Sequence, residues 1–183
     1  YGGGWVMALT KLNFSGSGLS SLPNGSVIQT VTTTKTDSFS NNNTTNFADI
    51  TGLAVTITPT STANEILIMY RVGVSVANGA YVCHIRLLRG STDIAQSTES
   101  TSNSVKATTS SYSSTSNGHY PIYYQSMDFI DAPSTTSATT YKLQARGWNS
   151  SAGTYTVNQA VAYGDTVDHA KSVSTITAME IKR

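Results

Sequence analysis

Three histidines, one cysteine and two groups of carboxylates are the residues of this chain with reactive chemistry to offer. His84, His119 and His169 are the available imidazole bases, and a hydrolase needs one of them beside a nucleophile and an orienting acid. Gly164-Asp165-Thr166-Val167-Asp168-His169 brings Asp165, Asp168 and His169 close enough in sequence to share a metal ion or an intersubunit contact. That spacing matches no EF-hand loop, and a solvated turn is the other reading. Asp128 and Asp131 flank Phe129-Ile130 and invite comparison with the paired carboxylates of glycoside hydrolysis. Side chains three apart on a strand point to opposite faces, so these two are poorly placed to act together. Cys83 shares an alternating apolar stretch with Tyr81 and Ile85, the setting of a buried and inert thiol. No nucleophile elbow, phosphate loop or zinc spacing occurs. The residues assign no catalytic group and no cofactor. The remaining chemistry is aromatic: Tyr112, Tyr120 and Trp148, in or beside polar stretches, are candidates to stack on the sugars of a cell surface.

The elements that must position these side chains are strands. Period-2 alternation dominates and no helical stretch stands out. Val27 to Thr33 alternates after a turn at Pro23-Asn24-Gly25, and Leu53, Val55 and Ile57 alternate before Pro59 ends that strand. In the clearest case, Ile66, Ile68, Tyr70, Val72, Val74 and Val76 form one apolar face, with Glu65, Arg71 and Ser75 on the other. Asn78-Gly79 then predicts a hairpin to a strand with Tyr81, Cys83, Ile85 and Leu87 on one face, ended by Arg89-Gly90-Ser91. Later strands cover Ile122 to Ile130, the run of Tyr141, Leu143 and Ala145, and a short piece at Tyr155 and Val157. Polar stretches separate them at 36–46, 97–118 and 134–140; the middle one either holds a weak edge strand around Val105 or is a loop. About eight strands without helices predict an all-β antiparallel sandwich, best a jelly roll, over residues 25–183.

Composition narrows the function. Only 11% of the residues are charged and the net charge is +1, which excludes the clustered basic surface that nucleic-acid binding requires. About three residues in ten are Ser or Thr, so solubility rests on hydroxyls rather than charge. A single cysteine allows no disulfide within one chain, and no apolar run has the length to insert in a membrane. Residues 1–24 spread Trp5, Leu9, Leu12, Phe14, Leu19 and Leu22 through Gly and Ser, which reads as an extended arm whose anchors dock on a partner. Met7-Ala8-Leu9-Thr10-Lys11 looks like a start, so residues 1–6 are read as non-native or as an upstream start.

Six segments in order carry a resemblance: Gly25 to Val31, the Leu53-to-Pro59 strand, Asn64 to Met69, Arg89 to Ile94, Ser137 to Ala145 and Ile176 to Ile181. Together they resemble a C-terminal domain of fibre-like and other structural virion proteins of tailed bacteriophages, marine and cyanobacterial ones in particular. The resemblance implies a homotrimeric jelly roll, similar to the heads of tumour-necrosis-factor-like proteins, with no enzyme activity. It also implies synthesis in the bacterial host cytoplasm and display on the virion surface. The arm would then contact other virion proteins of capsid or tail through Trp5, Leu9, Leu12 and Phe14, while exposed loops meet a host-surface glycan or protein. The chain shows no shaft, which leaves capsid decoration or head fibre, and tail fibre or receptor-binding tip, both open. A secreted carbohydrate-binding module is the alternative, and a polysaccharide depolymerase using Asp128 or Asp131 ranks last.

The final strand joins these expectations. Val173, Met179 and Ile181 lie on one face and Ile176 and Ala178 on the other, so both faces need cover, one by its own core and one by a sister subunit. The expectation from sequence assigns Ile176 and Ala178 to the threefold axis.

Overall fold

Alternating Val, Ile, Tyr and Thr suit a pleated surface buried on one side, and the chain uses them to build strands with no helix among its described residues. The computed structural model describes residues 22–42, 45–76, 82–99, 103–112, 121–147, 154–161 and 170–183. Its strands are β1 (Val27–Lys35), β2 (Phe39–Asn41), β3 (Ala48–Ile57), β4 (Glu65–Val76), β5 (Val82–Arg89), β6 (Thr92–Ile94), β7 (Thr109–Tyr112), β8 (Tyr123–Asp131), β9 (Thr139–Gly147), β10 (Tyr155–Val157) and β11 (Ser174–Ile181).

Two antiparallel sheets pack face to face. In the first, β8 lies on one edge of β4, while β11 and β10 lie end to end along the other, flanked outside by β1 and β2. In the second, the order is β3, β9, β5, with β6 and β7 end to end on the far edge of β5. The pairings nest: first strand with last (β1 and β11), then β3 with β9, β4 with β8, and β5 with β6 and β7. A long hairpin folded over on itself in this way is a jelly roll. Between the sheets lies one core, built from Ile66, Ile68, Val72 and Val74 of β4, Cys83, Ile85 and Leu87 of β5, Tyr141, Leu143 and Ala145 of β9, and Ile176 and Ala178 of β11.

Three expectations are corrected. First, β4 and β5 form no hairpin. Both edges of β4 are already paired, and β5 lies in the opposite sheet, so their apolar faces meet across the core instead of lying side by side. The Asn78-Gly79 turn lies outside the described residues. Second, among the described residues of the 97–118 stretch the strand is β7, while Val105 belongs to no strand. Thr109, Ser110, Ser111 and Tyr112 pair with Ile85 to Val82, and partner geometry overrides their weak apolar pattern. Third, Ile176 and Ala178 are fully buried in the subunit's own core and have no surface to give a partner.

Two strand breaks coincide. The line formed by β10 and β11 leaves β4 after Val157 and returns at Thr175, while β1 stops at Lys35 before β2 begins at Phe39. Asn158 holds both breaks. Its backbone takes φ 64°, a left-handed value that Asn tolerates better than most residues. Its N–H donates to Gly73 O at 2.9 Å, and its side chain donates to Lys35 O at 2.8 Å and Asp37 O at 3.0 Å. Ser174 Oγ donates to the Asn158 side chain and accepts from Gly73 N at 3.1 Å. Ser172 N closes the excursion onto Asn158 O at 2.9 Å.

Candidate functional site

The two outer faces differ in chemistry, and strand register fixes which side chains each presents. Across β1, β11, β4 and β8, Thr30, Met179, Leu67 and Ile130 stand in one row. Thr32, Thr177, Met69 and Asp128 form the next, and Thr34, Thr175, Arg71 and Ser126 the third. The first row is apolar across three adjacent strands, and Ile130 at its end is 53% exposed. The third row leads to Tyr124, whose ring carries the Arg71 guanidinium at 4.3 Å. Val173, 51% exposed, lies beside that ring, its carbonyl facing the Tyr124 hydroxyl. Among these three rows, charge enters only at Asp128 and Arg71.

Charge gathers on the outer face of the second sheet. Asp49 accepts from Gln144 Nε2 at 2.6 Å and Lys142 Nζ at 2.9 Å, and those two hydrogen bonds hold its carboxyl below the ordinary carboxylate value. Arg86 donates from Nε to Gln144 at 2.8 Å and from NH1 to Asp93 at 2.8 Å. The Phe47 ring carries two guanidinium groups, Arg86 at 4.4 Å and Arg146 at 5.7 Å. Directly across from Arg146 stands His84, whose Nδ1 lies 3.0 Å from Ser110 Oγ. Burial first, and then the Arg146 charge, push the His84 imidazole below its ordinary pKa and favour its neutral form. This serine–histidine pair has no orienting carboxylate among the described residues; its nearest charge is a cation. It therefore lacks the arrangement that activates a serine.

The residues singled out from sequence fall as follows. Asp128 and Asp131 do lie on opposite faces: Asp128 is exposed, while Asp131 is buried and accepts from Arg89 NH1 at 2.9 Å and from Tyr141 Oη at 2.7 Å. That carboxylate clamps the ends of β8, β5 and β9 together across the sheets. Cys83 is fully buried, and burial pushes its thiol up to about 12. Tyr112, at the end of β7, is 63% exposed. Trp5, Leu9, Leu12, Phe14, His119, Tyr120, Trp148, Asp165, Asp168 and His169 lie outside the described residues. Among the described residues no three His, Cys, Asp or Glu side chains gather as a metal site. Ile176 and Ala178, assigned from sequence to a subunit axis, point inward; the outward positions of β11 are Thr175, Thr177, Met179 and Ile181. The row of Met179, Leu67 and Ile130 escaped the sequence reading, although Leu67 and Met69, alternating between the core positions of β4, were its visible signal.

The two described chain ends meet at one end of the sandwich: Gly25 N donates to Lys182 O at 2.8 Å and Lys182 N to Ser26 O at 2.9 Å. Tyr112, paired with Val82, lies at the opposite end, as do the paired ends Val76 and Tyr155.

No family model and no curated protein matches the chain. Among solved structures it is similar to a chain from the structure of infectious bursal disease virus Gx strain, with 15% identity and a TM-score of 0.28. The match covers 86% of this chain and 42% of that one, so this chain spans less than half the length of the other. The architecture described above rests on its own strand pairing.

Proposed function

We propose that this chain is a non-enzymatic structural module of a bacteriophage virion, displayed on the particle surface as a homotrimer. The observation that carries the reading is the apolar row on the outer face of the first sheet, with Met179, Leu67 and Ile130 in register across three strands. A contiguous apolar row on a sheet with so much hydroxyl elsewhere marks an interaction surface, and copies of the same chain are its proposed occupants. The sequence resemblance to phage virion domains supports that choice. The charged face of the second sheet then points away from the axis, toward solvent and host. The opposed ends of the sandwich suit display as well: Leu22, next to the arm, sits at one end and exposed Tyr112 at the other. The arm, through Trp5, Leu9, Leu12 and Phe14, would join the module to the particle.

Antibody labelling of purified virions tests the location. Label on the head assigns a decoration or head fibre, and label on the tail assigns a fibre or tip. Particles that carry no label contradict the reading.

A further inference from the structure

Among the described residues, one cation on the second sheet's outer face is left uncompensated. Arg86 has Asp93 at 2.8 Å and Lys142 has Asp49 at 2.9 Å, whereas Arg146 pairs with no carboxylate among the described residues. Its NH1 donates to Thr45 O at 3.1 Å, and its Nε is shielded from water with no partner. An unsatisfied guanidinium nitrogen is costly. Across the strand pair stands His84, which has one ring nitrogen on Ser110 and the other left over. Two side chains that carry or can take positive charge directly opposite each other repel when both are charged, and an anion between them removes the conflict. The groups facing His84 are Arg146 from β9, Arg86 on its own strand, and Ser110 and Tyr112 from β7; Asp49 and Asp93 are already engaged.

We propose that the cross-strand pair Arg146 and His84, flanked by Phe47 and Ser110, binds a single carboxylate carried on a sugar ring, as found in an acidic surface polysaccharide. One uncompensated cation matches one carboxylate and is too little for a phosphate chain, where several cations act together. The planar guanidinium suits a carboxylate better than an ammonium would. Ser110, at 3.0 Å from His84 Nδ1, sets a hydroxyl beside the pair for one of the sugar's own hydroxyls, and Phe47, next to Arg146, supplies apolar surface for its ring carbons. The inference is independent of the virion reading, because it concerns the purified chain alone.

The test is an NMR titration of the full chain with sodium glucuronate at constant ionic strength, following the His84 imidazole and the Arg146 Nε–H. Saturable shifts are expected at both groups, together with a raised His84 pKa and binding that tightens as pH falls through the imidazole range. Glucose should shift neither. Arg146→Met should weaken binding about tenfold or more, and Arg146→Lys, which keeps the charge but not the planar fork, should fall between. Absence of saturable shifts, or equal shifts in Arg146→Met, overturns the site. Acetate binding as tightly as glucuronate removes the sugar from the assignment, and inorganic phosphate binding more tightly contradicts the choice of a carboxylate.

Discussion

Glu180 carries its charge inside the protein on neutral donors. Thr60 N at 2.7 Å, Thr60 Oγ1 at 2.8 Å and Asn64 Nδ2 at 2.7 Å donate to one oxygen, and Gln29 Nε2 at 2.6 Å donates to the other. Burial by itself raises the pKa of this carboxyl, but the hydrogen bonds from Asn64, Gln29 and Thr60 outweigh it and leave the group below its ordinary 4.5. A depressed folded value means that the stabilisation is complete above that ordinary value and disappears as pH falls through the lower one. Melting followed across acid pH should therefore show a loss below about 4.5 that Glu180→Gln flattens. The same variant should lose about 1–3 kcal/mol at neutral pH, because its amide sets a donor against a donor. Gln29 cannot turn its amide to help without releasing Thr58 O, held at 2.7 Å. At this scale the sequence was partly legible. Cys83 reads as buried from its apolar neighbours, whereas Glu180 reads as solvent-facing, since nothing in Ala178-Met179-Glu180-Ile181 announces donors from residues more than a hundred positions away.

At the scale of elements, the close junction is Gly73, where β11 and β10 part along β4. A Cβ there would stand 2.7 Å from Ser172 Oγ and 2.9 Å from Ile122 Cγ2, distances that force a neighbour to move. Gly73→Ala should cost about 1–3 kcal/mol in urea unfolding; a change of less than a few tenths would show that the junction yields freely. Strands of strong alternation, β4, β9 and β11, are legible because burial on one face imposes the period. Short strands such as β2, β6 and β7 are not, because their place comes from a partner's open edge rather than from their own side chains. The same limit explains the missing β4–β5 hairpin. Alternation tells which face is inward, but two strands in one sheet and two strands facing across a core show the same alternation.

For the whole molecule, register reverses the assignment of the last strand. Its even positions, Ser174, Ile176, Ala178 and Glu180, fill the subunit, and its odd positions face outward, where Met179 joins Leu67 and Ile130 in one uncharged row. The apolar content of both faces was visible in the sequence; which face belonged to the subunit was not, because that depends on the side of the first sheet that receives β3, β5 and β9. The opposed placement of the described chain ends and Tyr112 follows from the nested pairing and was equally invisible. If copies of the chain cover the outer row, a carboxylate at Met179 must separate them while leaving the core intact, whereas one at Ile176 must destroy the core itself. Light scattering of the purified chain at micromolar concentration, beside Met179→Glu and Ile176→Asp, measures this directly. Expected are three times the 19.4 kDa chain mass for the parent, a folded monomer for Met179→Glu, and an unfolded chain for Ile176→Asp. A monomeric parent, or a Met179→Glu variant that stays trimeric, would contradict it.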